Sequence, residues 1–129
     1  MLPAMFFGQK CEEDGIRNVE NMVSYSEEAY EDFDVIFDGL LNWKDKKTGQ
    51  RHLNYYEGVD YIDRMQLFCE TIDKANYHFR TKYEYHRKYG GFYQTYQPNS
   101  RTTWYIIYNI ISDSNVLINK IMNNYQTVI

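Results

Sequence analysis

Cysteine, proline and glycine are all scarce in this chain of 129 residues. The two cysteines, Cys11 and Cys69, can form at most one disulfide bond, which excludes the disulfide framework of a small secreted domain. With only two prolines, Pro3 and Pro98, long stretches remain in which regular helices and strands can form. The glycine pair Gly90–Gly91 predicts a turn, since no glycine-rich phosphate-binding loop surrounds it.

Long apolar runs are also lacking, and no stretch approaches the roughly 20 apolar residues of a membrane helix. The apolar start, Met1–Phe7, has no basic residues before it and does not fit a signal peptide. We therefore expect one cytoplasmic domain with reduced thiols and no membrane association. Residues 1–21 lack periodicity and are predicted to form an N-terminal extension to a domain of residues 22–129. Met22 is an alternative start of the protein.

Tyrosine is abundant, with 14 of 129 residues, and its ring with a polar tip suits strands and binding surfaces. The net charge of −4 argues against a protein that coats nucleic acid generally. Charge is nevertheless segregated: residues 74–101 hold six basic residues and one acidic residue, and residues 27–38 hold six acidic residues and no basic one. This asymmetry either steers an anionic partner to one end of the fold or forms two solvated surfaces.

Two helices are predicted in the first half of the domain, after a short β-type stretch at residues 22–25. Ser26 is a favourable N-cap, and apolar residues at helical spacing follow it, so the first helix is expected from Glu27 to Trp43. A broad apolar stripe that includes Cys69 predicts a second helix from Leu53 to Ala75.

The second half of the domain has the patterns of strands. Residues 77–86 alternate aromatic and polar side chains, which fits either a strand or an extended basic loop. A short strand is expected over 92–97, and strands over 101–111 and 116–122 are joined by a polar turn. Residues 101–125 are thus predicted to form an antiparallel hairpin that carries the functional face. The fold class is α+β.

Three segments of the chain resemble the RelE/ParE toxins of type II toxin–antitoxin pairs. In Val23–Phe33 a short strand ends in a Ser-Glu dipeptide that begins the first helix. The segments Gly91–Tyr93 and Ile106–Tyr108 fit later strands of that family. The resemblance covers residues 22–125 and rests more on the order of elements than on single motifs.

The resemblance implies a bacterial, RelE/ParE-like fold in which an N-terminal short strand and a two-helix hairpin pack on a C-terminal antiparallel sheet. It also implies a growth-inhibiting protein of the plasmid-stabilisation type, neutralised by a cognate antitoxin and requiring no cofactor. RelE-like members cleave mRNA on the ribosome, and ParE-like members inhibit DNA gyrase. The oligomeric state is left open.

By this resemblance Tyr125 is the candidate catalytic acid, with a stacking or structural role as the alternative. Arg101 and Lys120 are the candidate catalytic cations that remain in the hairpin, and a solvated basic edge is the alternative for them. RNA cleavage without a metal needs a base, cations beside the phosphate and an acid. At several positions where relatives often carry arginine or histidine, this chain has other side chains: Gln94, Tyr105, Met122 and Asn124. We therefore predict a ParE-like toxin that acts by binding. The alternatives are a RelE-like ribosome-dependent mRNA endonuclease and a non-toxic interaction module of the same fold.

Candidate residues for binding a target or partner combine basic and aromatic side chains. They are Arg80, Lys82, Arg87, Trp104, Tyr105 and Tyr108. The cations Arg80, Lys82, Arg87 and Lys88 either form part of a site or simply a solvated basic edge. The three histidines, His52, His78 and His86, do not have the spacing of a metal-ligand pair on one helix, and no metal is expected.

Overall fold

The computed structural model describes residues 22–112 and 115–124. The elements in chain order are β1 Val23–Tyr25, α1 Glu27–Leu41, α2 Tyr55–Cys69, β2 Phe79–Arg80, α3 Glu84–Arg87, β3 Phe92–Tyr96, β4 Trp104–Ser112 and β5 Asn115–Asn123. A short 3-10 helix, Ile72–Lys74, follows α2. The predicted extension, residues 1–21, and the candidate Tyr125 lie outside the described residues.

Helix α1 begins where the sequence predicts, because the Ser26 hydroxyl accepts a hydrogen bond of 3.1 Å from the Ala29 amide. Its end differs from the prediction, since α1 stops at Leu41 and Trp43 lies outside it. The Trp43 carbonyl instead accepts from the His52 amide at 2.9 Å, which draws the chain into the α1–α2 loop. Predicted termini of helices often miss by this amount.

Helix α2 begins with a capping box that fixes its first residue. The Asn54 side chain accepts from the Glu57 amide, and the Glu57 carboxylate accepts from the Asn54 amide, at 2.8 and 2.9 Å. The predicted continuation to Ala75 is wrong. After Cys69 the Thr71 hydroxyl donates to the Phe68 carbonyl at 2.7 Å, and the chain tightens into the 3-10 helix.

The sheet has the strand order β1-β5-β4-β3-β2. The pairs β5–β4, β4–β3 and β3–β2 are antiparallel, whereas β1 is parallel to β5. The predicted α+β class, with two helices packed on a mostly antiparallel sheet, is confirmed. The parallel pairing of β1 was not predicted, because strand patterns do not reveal partners in the sheet.

The structure corrects the start of one predicted strand and assigns the stretch 77–86, which the sequence left open. Strand β4 starts at Trp104 and not at Arg101, because the Asn99 side chain accepts from the amides of Arg101 and Thr102 and forms a turn there. The alternating stretch 77–86 contains only the two-residue strand β2, and the chain then leaves the sheet into the short helix α3.

The core lies between the sheet and helices α1 and α2. Its buried residues are Val23, Ala29, Phe33, Phe37, Ile62, Met65, Cys69, Ile72, Trp104, Ile106, Tyr108, Val116, Ile118 and Ile121. Burial raises the pKa of the Cys69 thiol well above its usual value, so this cysteine packs as a small apolar residue. No helix in the described part of the chain is both long and apolar enough for a membrane span.

Candidate functional site on the outer face of the sheet

The strands present one face to the helices and one away from them, which we call the outer face. On β3, Tyr96 points to the helices, with its ring 5.2 Å from that of Phe68 on α2. Because side chains alternate along a strand, Tyr93 lies on the outer face with its cross-strand neighbour Ile107. The outer face is formed by Tyr93, Thr95, Tyr105, Ile107 and Lys120.

A segment of residues 81–91, which includes α3, lies over part of the outer face; we call it the covering segment. The Asn119 side chain donates to the Tyr89 carbonyl, and the Gly91 amide donates to the Asn109 side chain, each at 2.9 Å. Gly90 lies so close to β4 that a Cβ there would be 2.6 Å from the Tyr108 carbonyl oxygen. Only glycine permits this approach of two backbones.

Aromatic rings form a continuous row beside the covering segment. Ring centroids are 4.8 Å apart for Tyr77 and Phe79, 5.7 Å for Phe79 and Tyr93, and 6.0 Å for Tyr93 and Tyr105. Tyr77 is 65% exposed and Phe79 is 44% exposed. Rings at these distances contact one another, yet much of their surface stays in water. We call these four residues the aromatic row.

His86 lies at the centre of the aromatic side chains of this region and is only 4% exposed. Its ring centroid is 4.5 Å from that of Tyr85, 5.0 Å from Tyr105, 5.6 Å from Tyr83 and 6.5 Å from Tyr93. Burial lowers the pKa of His86 below its ordinary value, so the ring is neutral at pH 7.

The predicted binding cations are not all in one place. Lys82 and Arg87 are exposed on the covering segment and adjoin, because the Arg87 guanidinium donates to the Lys82 carbonyl at 2.7 Å. Arg80 pairs with Phe92 across β2 and β3, and its guanidinium lies 5.2 Å from the Phe92 ring centroid. Alternation therefore places Arg80 on the opposite side of the strand from Phe79.

The predicted catalytic residue Lys120 is held by two carboxylates of α1. Its ammonium donates to Asp32 at 3.0 Å and to Glu28 at 3.2 Å. Asp32 also accepts from the Ile121 amide at 2.9 Å, so the group ties α1 to β5. Burial by itself would lower the pKa of Lys120, but the hydrogen bonds and charges of Asp32 and Glu28 raise it above its ordinary value. Lys120 therefore stays a paired cation.

The other predicted catalytic residues are not brought to Lys120. Three rungs of the sheet, about 10 Å, separate Lys120 from the pair formed by Trp104 and Asn123. Arg101 lies beyond that pair, in the loop before β4. It lines a cleft of about 630 Å³ whose wall also includes Trp43 and Trp104. Tyr125 lies outside the described residues.

Two of the predicted binding aromatics, Trp104 and Tyr108, belong to the core, in line with the alternative of ordinary core packing for part of these rings. Trp104 is 5% exposed, and its indole N–H donates to the Tyr61 hydroxyl at 2.9 Å. Tyr108 has no exposed surface, and its hydroxyl is hydrogen-bonded to the side chains of His78 and Gln94. Strand alternation puts both residues on the helix face, whereas Tyr105 between them lies on the outer face.

Most of the aromatic row was missing from the predicted site. The alternation that includes Tyr77 and Phe79 was visible in the sequence, but it also fitted a strand buried on one side. The position of His86 under four rings had no signal at all in the sequence, because those rings come from the covering segment, β3 and β4. The exposed surface of the aromatic row depends on how much of the outer face the covering segment covers, and the sequence does not show this.

The outer face offers contacts for binding, and the titratable groups gathered on it among the described residues include His86 and the tyrosines around it. Exposed rings supply stacking area, and the cations of the covering segment attract anionic groups. His86, the titratable group closest to the rings, is buried. Within residues 22–112 and 115–124, no three His, Cys, Asp or Glu side chains are grouped as ligands for a metal ion.

Comparisons with known proteins return no family, relative or fold neighbour for this chain. It matches no family model, no curated protein and no solved structure. The resemblance to RelE/ParE toxins therefore stays a prediction from the sequence.

Proposed function

We propose that this protein is the toxin of a type II toxin–antitoxin pair and acts by binding its target, as ParE-like toxins do. The order of a short strand, two helices and a mostly antiparallel sheet supports the family resemblance. The target in this proposal is DNA gyrase, the site of action is the cytoplasm, and a cognate antitoxin neutralises the protein.

The observation that carries the choice of binding over catalysis is the pairing of Lys120. A metal-free nuclease needs cations free to stabilise the crowded phosphate. The Lys120 side chain is only 19% exposed, and two carboxylates already neutralise it. Arg101 lies in the loop beyond the far end of the same strands, so these two residues do not form one site.

The surface that would bind the target is the aromatic row together with Lys82 and Arg87. Large aromatic side chains and arginine carry much of the energy of protein interfaces. Tyr77 and Phe79 keep substantial exposed surface, although apolar rings are normally buried. The neighbouring cations would speed association with an acidic surface of a partner.

Growth arrest on induction in a bacterial host tests the proposal. The double variant Tyr77→Ala/Phe79→Ala should lose growth arrest and inhibition of gyrase supercoiling by the purified protein. Tyr56→Ala is the matched control, because Tyr56 is 79% exposed but lies on α2. It should behave like the unchanged chain. Full toxicity of the double variant, or normal gyrase activity under arrest, would contradict the proposal.

One observation favours the RelE-like endonuclease as a second candidate. Exposed rings beside cations are also the means by which proteins hold unpaired nucleotides. Under this alternative, the protein cleaves mRNA on translating ribosomes, and Arg101→Ala and Tyr125→Phe abolish cleavage. If induction produces no growth arrest and the purified protein neither cleaves mRNA nor inhibits gyrase, the chain is a non-toxic interaction module.

A further inference from the structure

We propose that protonation of His86 releases the covering segment from the outer face, so that pH controls access to this surface. The functional meaning of this opening rests on the proposed use of the outer face in binding. The opening itself depends only on how residues 81–91 are attached to the sheet.

His86 is the side chain by which the covering segment packs on the sheet. Between Lys82 and Tyr89 it is the one buried residue; the others are exposed or half-buried. Its contacts reach Tyr93 on β3 and Tyr105 on β4. Ile107, which alternation places on the same outer face, is fully buried. The apolar contact beneath the segment thus includes one side chain that can gain a charge.

The side chains whose rings contact His86 provide no negative charge to balance a protonated His86 ring. From the covering segment these are Tyr83 and Tyr85, from β3 Tyr93, and from β4 Tyr105. All four side chains end in a phenol hydroxyl, and none is a carboxylate. The charged neighbours on the segment are exposed: Glu84, Arg87 and Lys88. A buried charge without a counter-charge is costly, so the protonated ring favours hydration in an open segment.

The covering segment is also held to the sheet by contacts at Tyr89, Gly90 and Gly91, and the Lys120 ammonium of β5 lies 5.2 Å from the Tyr89 ring centroid. The Tyr89 carbonyl accepts from Asn119, and the Gly91 amide donates to Asn109. At the base of the segment, the Thr81 amide and hydroxyl donate to the carbonyls of Gly91 and Gly90, each at 3.0 Å. These bonds can break locally without disturbing the core on the helix face, which includes no residue of the segment.

The direction of the pH effect follows from linkage. The closed segment holds His86 with a lowered pKa, and an open segment restores the ordinary value near 6.5. The open state therefore binds more protons, and its population rises as the pH falls below about 6.5. The rise is at most about tenfold per pH unit and stops below the pKa of the closed state.

Hydrogen exchange of the full chain, measured by NMR at pH 5.0 and 7.5, tests this inference. After correction for intrinsic exchange, the opening constant of the Thr81 and Gly91 amides should be at least threefold larger at pH 5.0. The Ile106 amide, in the centre of β4, should not change. In His86→Phe, an apolar ring fills the space between the tyrosines, and the pH effect should vanish.

Two further variants keep the test decisive. His86→Leu replaces His86→Phe if the phenylalanine does not fit, and it should also remove the pH effect. His52→Gln changes the exposed histidine of the α1–α2 loop and should retain it. Equal opening at both pH values, or the same pH effect in a variant without His86, would overturn the inference. The hydrogen-exchange experiment uses the chain without any target, so its result does not depend on the proposed function. A failure to arrest growth would contradict the proposed function and leave the pH-dependent opening unaffected.

Discussion

The helix face and the outer face of the sheet are built by alternate residues of the same strands, yet they are covered differently. On the helix face, α1 and α2 close over a continuous apolar core that includes Ile106 and Ile118. On the outer face, Ile107 is fully buried, whereas the rings of Tyr77 and Phe79 keep much of their surface in water. Rings on the helix face, such as that of Tyr108, are therefore buried with aliphatic side chains, whereas the outer face carries exposed rings.

Under the proposed function, alternate residues of the same strands stabilise the fold on one side and bind a partner on the other. A buried aliphatic side chain contributes free energy of folding through removal from water. A half-exposed ring contributes little to folding but leaves surface available to a partner. Substitutions on the two faces should therefore differ in their effects on folding stability and on growth arrest.

The largest loss of folding stability is expected for a substitution in the core of the helix face. Ile106→Ala should lower the free energy of unfolding by about 3 kcal/mol, because Ile106 has no exposed surface and a cavity would remain. Thr95→Ala on the outer face is the control and should cost less than about 1 kcal/mol. Urea denaturation followed by circular dichroism measures both. Similar losses in the two variants would break the distinction between the faces.

The next effect concerns the attachment of the covering segment. Gly90→Ala should destabilise by about 2 kcal/mol, since its new methyl group would collide with the Tyr108 carbonyl. Gly39→Ala is the matched control, because nothing lies within 4 Å of the added methyl group on α1. It should stabilise by about 0.5–1 kcal/mol through helix propensity. Thermal denaturation should show a lower melting temperature for Gly90→Ala and a higher one for Gly39→Ala. A change of the same sign in both variants would contradict the close approach of the Gly90 and Tyr108 backbones.

A smaller effect is expected where the two faces meet at Lys120. Lys120→Met should lower the free energy of unfolding by about 1–2 kcal/mol, because Asp32, with a side chain 12% exposed, loses its counter-charge. Adding Asp32→Asn should recover part of the loss, and a double-mutant cycle measures the coupling. The proposed binding function predicts that Lys120→Met still arrests growth. Loss of toxicity in a stably folded variant would favour the endonuclease.

The smallest effect on stability belongs to the aromatic row. Tyr77→Ala and Phe79→Ala should each change the free energy of unfolding by only about 0.5 kcal/mol, since Tyr77 is 65% exposed and Phe79 is 44% exposed. Their effect on growth arrest should nevertheless exceed that of Tyr56→Ala. A loss of stability as large as that of Ile106→Ala would mean that these rings serve the fold and not a partner.

Local signals in the sequence predicted the elements well where neighbouring residues decide the structure. Ser26 satisfies backbone groups three residues away, and the hairpin strands follow from their β-branched and aromatic residues. The ends of α2 and β4 were predicted wrongly, because Thr71 and Asn99 divert the backbone through side-chain hydrogen bonds. Many polar side chains can form such hydrogen bonds to the nearby backbone, and the sequence alone does not show which of them form in the folded chain.

The candidate site was predicted less well than the fold. Lys82, Arg87 and Tyr105 were named and lie on the covering segment or the outer face, but Trp104 and Tyr108 belong to the core. An aromatic residue in a strand gives the same sequence signal whichever face it occupies, since both faces here carry rings.

The sequence by itself determined the α+β class, the N-terminus of α1 and the β4–β5 pair, because these depend on periodicity, caps and turns between near neighbours. Only the tertiary structure decided which aromatic residues are buried, that Lys120 pairs with Glu28 and Asp32, and that His86 lies under four tyrosines. These contacts join residues up to 92 positions apart. Their formation depends on the sheet order and on the path of the covering segment, neither of which a local pattern contains.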